Sequence, residues 1–247
     1  MIPEASLESV GLWDIEARSI RRAVLEGQKR ALGVGSFARA GRGWPHLFCH
    51  GTLALMGDAA IIQRMSALEY LEWERQQAEK HEYYGGEVFA MAGGTPRHNF
   101  LAMASGAELR TALRGKRCNV FSSDQRIAAE PGERYVYADA VVVCGGAQME
   151  PGSQGVLANP SVIVEVLSPS TEAYDRGQKW EAYQRLPSLT DYLLVSQTSP
   201  RIEHFQRETE ASWRYRVLGP GASITLANGA SVPVDAIYEG AFELEAG

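Results

Sequence analysis

Two acidic residues stand inside runs that otherwise read as buried β-strand. Asp139 interrupts YVYADAVVVC, and Glu165 interrupts SVIVEVL. Side chains alternate between the two faces of a strand, so Tyr137, Asp139, Val141 and Val143 should share one face, and Ile163, Glu165 and Leu167 another. An ionised carboxylate is costly to bury alone, so any fold of this chain must bring each acid a cation, a hydrogen-bond donor or a metal. If the two strands are neighbours, both carboxylates project from one side of the sheet. Paired hard oxygen ligands of that kind suit a magnesium-type ion that keeps most of its waters.

A cation follows at a useful distance. Lys179 comes 14 residues after Glu165, in a segment that Asp175-x-x-Gln178 is expected to cap as a helix ending near Leu186-Pro187. Helical spacing puts Lys179 and Tyr183 (i, i+4) on one face with Arg176 (i−3) beside them. Two acids, a metal and a lysine are the groups that phosphodiester hydrolysis needs. The metal supplies a nucleophilic hydroxide and neutralises developing charge, and lysine orients the water or steadies the phosphorus centre. The alternative is a structural ion-pair network of Asp139 and Glu165 with Lys179 and Arg126.

The surrounding signals describe an α/β chain. Ser66-x-x-Glu69 is a capping box that should open a helix running to about Lys80, and HEYYGGEVFAMAGG reads as a hairpin turning at Gly85-Gly86. A second helix is expected from Pro96 to about Arg114. Strands follow at 118–123, 125–130 and 134–144, then at 161–167 and 191–196, with RIEHFQRE and SWRYRVL as a C-terminal pair. The order gives an α/β sandwich around a central mixed sheet. Glu82 and Glu87, flanking the hairpin turn, read as exposed strand charge, with reach of one of them into the site as the alternative. Asp124 reads as a turn cap and His98 as a hydrogen-bonded helix residue, with metal or DNA contact as the alternative for each.

The stretch NPSVIVEVLSPSTEAYDRGQKWEAYQRLPSLTDYLLVSQ, preceded by YVYADAVVVCGG, resembles the Uma family of restriction-endonuclease-like proteins, within the PD-(D/E)xK nuclease superfamily. The similarity runs from about Ser66 to about Tyr238 and takes in HEYYGGEVFAMAGG, His98 and SSDQRI. It implies a restriction-endonuclease-like α-β-β-β-α-β core, here with an N-terminal helix plus hairpin and added C-terminal strands. It also implies a magnesium site, with manganese as the alternative ion, and DNA as substrate. Asp139 matches the motif's aspartate and Glu165 its (D/E). The residue before Asp139 is Ala138 where the superfamily has proline, and the motif's lysine position holds Leu167. The resemblance places the lysine on the following helix, as Lys179, with Tyr183, Arg176, Gln178, Asp124 and His98 as supporting residues.

Charge limits how DNA could be met. The chain carries a formal charge of −6. From residue 64 onward there are 17 Lys and Arg against 24 Asp and Glu, a balance of −7. Bulk positive charge is therefore excluded as the means of contact. A focused patch is required, for which Arg97, Arg126, Arg176 and Arg185 are candidates. A non-catalytic nucleic-acid or protein-binding module and an RNA-directed nuclease are the competing readings, and a homodimer is compatible with all three. No apolar run approaches the roughly 18 residues that span a bilayer, and the N-terminus lacks a signal-peptide pattern. The 3 cysteines, Cys49, Cys118 and Cys144, form no C-x-x-C pair, so the spacing gives little support to a disulfide and predicts a cytoplasmic protein. Residues 1–63, basic and glycine-rich, read as a poorly ordered extension before a domain at 64–247, a non-native addition being favoured over a nucleic-acid-binding arm. Within it, His46-x3-His50 lacks partner ligands and Gly33-x-Gly35-x-x-Ala38 lacks a preceding strand.

Overall fold

The computed structural model describes residues 61–91 and 93–245. The extension up to residue 60, with Cys49, the His46/His50 pair and the Gly33 loop, lies outside the described residues.

In chain order the first half runs β1 (Ile61–Arg64), α1 (Ala67–Glu74), β2 (His81–Tyr84), β3 (Glu87–Ala90), α2 (Pro96–Ala112), β4 (Cys118–Ser122), β5 (Arg126–Glu130), β6 (Arg134–Tyr137) and β7 (Ala140–Cys144). After β8 (Val162–Val166) comes a helix, α3, built of the segments Glu172–Tyr174, Asp175–Lys179 and Trp180–Tyr183, the middle one a π-turn. The chain continues through β9 (Asp191–Val195), β10 (Ile202–Thr209), β11 (Ser212–Leu218), β12 (Ser223–Thr225), β13 (Ser231–Pro233) and α4 (Val234–Tyr238). One sheet has the order β1-β3-β2-β6-β5 and is antiparallel; the larger has the order β11-β10-β9-β8-β7-β4. The larger is mixed because β8 and β9 run parallel, and α3 lies in the crossover between them.

Strand β8 shows why the fold places charge where it does. Val162, Val164 and Val166 join the core cluster that holds Leu101 and Leu109 of α2. Ile163 and Leu167 join the opposite cluster with Ala182 and Tyr183 of α3. Glu165 therefore faces α3, on the side its alternation predicts. Both faces are covered, which is why the strand is apolar at every other position.

Four local expectations are corrected. RYVYADAVVVC is two strands in two sheets, because amides only two residues apart find different partners. Tyr137 N donates to the Glu82 carboxylate (3.2 Å), while Asp139 N donates to Val164 O of β8 (3.0 Å). Helix α1 stops at Glu74, well short of Lys80, because the Glu74 carboxylate turns inward to accept from His81 N (2.9 Å) and Tyr137 OH (2.9 Å). Asp175 does not cap α3, which is already under way at Glu172; it is buried in the π-turn. Finally, Cys118 and Cys144 form a disulfide across β4 and β7. That pairing arises from strand register and leaves no trace in the 26-residue spacing. It removes the argument for a reducing compartment that rested on that spacing.

Candidate active site

The site lies where β6 gives way to β7. Ala140 pairs with Val164 and Val141 with Ile163, and just before this ladder Asp139 is bonded to the β8 residues on either side of Glu165, its N donating to Val164 O (3.0 Å) and its carboxylate accepting from Val166 N. Asp139 is held from two sides. Its Oδ2 accepts from Val166 N (2.6 Å), and its Oδ1 lies 3.0 Å from His98 Nε2. His98 owes its place to the start of α2. Thr95 caps the helix by accepting from His98 N (3.1 Å), and Pro96 fills the first turn, where no amide donor is needed. Gly94 is required beside it, since a Cβ there would meet His98 Cδ2 at 2.4 Å.

Glu165 is almost fully buried and is served from α3. Lys179 Nζ donates to its Oε1 (3.1 Å), and Tyr183 OH donates to the same oxygen (2.9 Å). Lys179 also donates to Tyr137 O (3.1 Å) and lies 3.3 Å from Glu82 Oε1 and 3.4 Å from Asp175 Oδ1. The π-turn keeps both Asp175 and Lys179 buried, and such turns recur at functional sites.

The charges do not balance. Glu82, Glu165 and Asp175 surround one ammonium, with Asp139 alongside. Burial pushes the Glu165 carboxyl well above the ordinary carboxylate range; Lys179 opposes the shift, while Asp175, Asp139 and Glu82 add to it. Burial raises Asp175 in the same way. For Lys179 burial works against the charged form, but Glu165, Glu82 and Asp175 outweigh it and leave the ammonium well above its usual pKa. Burial also opposes protonation of His98, and the hydrogen bond and charge of Asp139 override it, so its pKa is raised. The lysine thus stays charged within an excess of negative charge.

The structure gathers Asp139, Glu165, Lys179, Tyr183 and His98. Arg176 and Asp124 are turned elsewhere. Arg176 is turned to Glu203, in a two-pronged pair of 2.6 and 2.8 Å, and to Glu172, because Glu203 on β10 is buried and needs a cation. Gln178 offers its carbonyl to Arg134. Asp124 is exposed and pairs with Lys80 (3.0 Å). The four arginines expected to make a DNA patch are occupied separately. Arg97 binds the carbonyls of Gln197 and Leu244, Arg126 binds Tyr137 OH, and Arg185 binds Glu130 and Glu181. Asp175, read from the sequence only as a helix cap, is the acid of the cluster that sequence reasoning missed; Glu82, for which reach into the site was the alternative to exposed strand charge, belongs to the cluster as well. Glu82 is buried beside Lys179 because β2 lies next to β6 in the smaller sheet, a pairing that no local pattern announces.

Asp139 and His98 open onto a cleft of about 870 Å³ between α2 and β4, also lined by Lys80, Met103, Arg110 and Phe121. Among the described residues no group of three or more His, Cys, Asp or Glu is arranged to hold a metal ion. The donors nevertheless fit a hard cation bound through two carboxylates and water: the oxygens are hard, and the cluster has negative charge to offset.

A mixed α/β fold with two acids at its central sheet and a lysine reaching one of them from the adjoining helix is the architecture of a nuclease-like protein. The comparisons agree. Residues 67–235 match the Uma2 family, described as "Putative restriction endonuclease", and the chain belongs to that family. Two uncharacterized proteins of Synechocystis sp. are similar to it. The protein slr1290 is 38% identical over 74% of this chain and 95% of its own length; sll1609 is 34% identical over 67% and 94%. A crystal structure of "a putative nuclease belonging to DUF820" from Anabaena variabilis has the same fold, with a TM-score of 0.59, 12% identity, and 72% of this chain and 99% of that one covered. Among the described residues no helix is long and apolar enough to cross a membrane.

Proposed function

We propose that the chain is a magnesium-dependent phosphodiesterase that cleaves DNA. The observation that carries this reading is that Asp139 is hydrogen-bonded to both neighbours of Glu165 on β8, Val164 and Val166, with Lys179 delivered to Glu165 from α3. Asp139 and Glu165 would hold the ion, and manganese could replace magnesium with the same oxygen donors. The bound ion would lower the pKa of a water and offset charge on the phosphate. The chain's own groups do the positioning. His98 and the Val166 amide fix both oxygens of Asp139, Tyr183 and Lys179 fix Glu165, and Glu82 and Asp175 keep Lys179 protonated. Lys179 then supplies a permanent positive charge beside the acids, where negative charge develops on phosphorus oxygens.

A second reading has its own observation. Glu82, Glu165, Asp175 and Lys179 are all buried and mutually paired, as in a closed structural network retained by a non-catalytic binding module. Calorimetric titration with Mg²⁺ separates the two. The metal reading expects binding that Asp139→Asn weakens at least tenfold while circular dichroism stays unchanged. Absence of Mg²⁺ binding to the folded native chain, or unchanged affinity in the variant, favours the structural network.

A further inference from the structure

We propose that the cleft beside Asp139 takes single-stranded DNA, roughly two or three nucleotides at a time, in preference to intact duplex. This rests on the phosphodiesterase reading above and specifies its substrate. Access to the acids favours a single strand. Of the acid–lysine cluster only Asp139, with its partner His98, lines the cleft, while Glu165 and Lys179 are 4% and 5% exposed. A phosphate must enter the cleft to approach them, which a flexible strand does more readily than the rigid backbone of a duplex.

Volume and lining agree. About 870 Å³ lies within the range of roughly 300–1,000 Å³ that encloses one small ligand, far less than a helical turn of duplex requires. The walls carry Met91, Met103 and Phe121, and Met103 is 71% exposed, an apolar side chain that the fold itself does not use. Apolar surface of this kind is wasted on a duplex, which hides its base faces, but it suits unstacked bases. Cations are few. Arg110 is exposed on one wall, and Lys80 is tethered near the other by Ser123 O (3.0 Å) and Asp124 (3.0 Å). Duplex binders commonly neutralise about 6–10 phosphates, which these side chains cannot do.

The test is fluorescence anisotropy with the full chain in EDTA, so that nothing is cleaved. The probes are a fluorescein-labelled ten-nucleotide oligodeoxythymidylate and a blunt duplex of equal length. The single strand should bind at least tenfold more tightly. Arg110→Glu and Met103→Glu, both at exposed positions, should each weaken it at least fivefold. Arg110→Glu should also reduce the salt dependence of binding by about 0.7 in log–log slope. Equal or tighter duplex binding, binding of neither probe, or unaffected variants would overturn the proposal. The two readings fail separately. A chain that prefers single strands but cleaves no DNA with Mg²⁺ refutes the phosphodiesterase and leaves the cleft. A chain that cleaves intact duplex without preferring single strands does the reverse.

Discussion

Replacing Lys179 with methionine tests the electrostatic core of the site. The ammonium lies 3.1, 3.3 and 3.4 Å from Glu165, Glu82 and Asp175. At an effective dielectric near 20, each pair attracts by about 5 kcal/mol, and desolvation of the buried ions cancels most of the total. Removing one partner leaves the acids uncompensated, which for a buried pair costs about 3–5 kcal/mol. For a domain of this size that lowers Tm by roughly 10 °C. The loss should be larger at pH 8 than at pH 5, because Glu165 and Asp175 have raised pKa values and can take up protons in place of the lost cation. The double variant Lys179→Met/Glu165→Gln should recover part of the loss. Urea denaturation at the two pH values supplies the measurement. A change below about 1 kcal/mol at pH 8, with no pH dependence, would refute a charged lysine buried among three acids.

Three further outcomes follow from particular contacts. In the native chain without divalent ions, the raised carboxyls of Glu165 and Asp175 bind protons more tightly folded than unfolded. Their contribution therefore makes stability fall as pH rises above about 4.5, and Glu165→Gln should flatten a urea-midpoint profile measured between pH 5 and 8. Gly94→Ala should displace His98, since the new Cβ would sit 2.4 Å from its Cδ2. The expected cost is about 1–3 kcal/mol, with a shifted His98 imidazole resonance by NMR as the readout. Reduction of Cys118–Cys144, which closes a loop of 26 residues, should lower stability by about 3 kcal/mol, read by melting with and without dithiothreitol; equal midpoints would contradict a structural role.

The acids were legible because alternation inside an apolar strand is a strict pattern: Glu165 stands out among valines, and its face follows from Ile163 and Leu167. Lys179 was legible through helical spacing together with the family resemblance. Glu82 was legible only as an alternative, because its burial depends on β2 lying beside β6, and HEYY alone reads as a hairpin strand with an exposed charge. Asp175 was misread for a related reason. Asp-x-x-Gln before an apolar face has the form of a helix cap, and only the early start of α3 and its π-turn move the residue inside. The break between Tyr137 and Asp139 was hidden because both halves are strand-like. Pairing partners rather than propensity divide them. The arginines proposed for DNA were sound as composition, but each has a partner of its own in the fold: the buried Glu203 for Arg176, backbone carbonyls for Arg97, the Tyr137 hydroxyl for Arg126, and Glu130 and Glu181 for Arg185.

The central claim is metal-dependent cleavage governed by Asp139. It is tested most directly by incubating the purified chain with end-labelled single-stranded and duplex DNA, in Mg²⁺ or in EDTA, alongside Asp139→Asn. Cleavage is expected in Mg²⁺ and absent in EDTA, with a loss of at least a hundredfold in a variant that remains folded by circular dichroism. Equal cleavage in EDTA, undiminished cleavage by Asp139→Asn, or no cleavage of either DNA by the native chain in Mg²⁺ would contradict it.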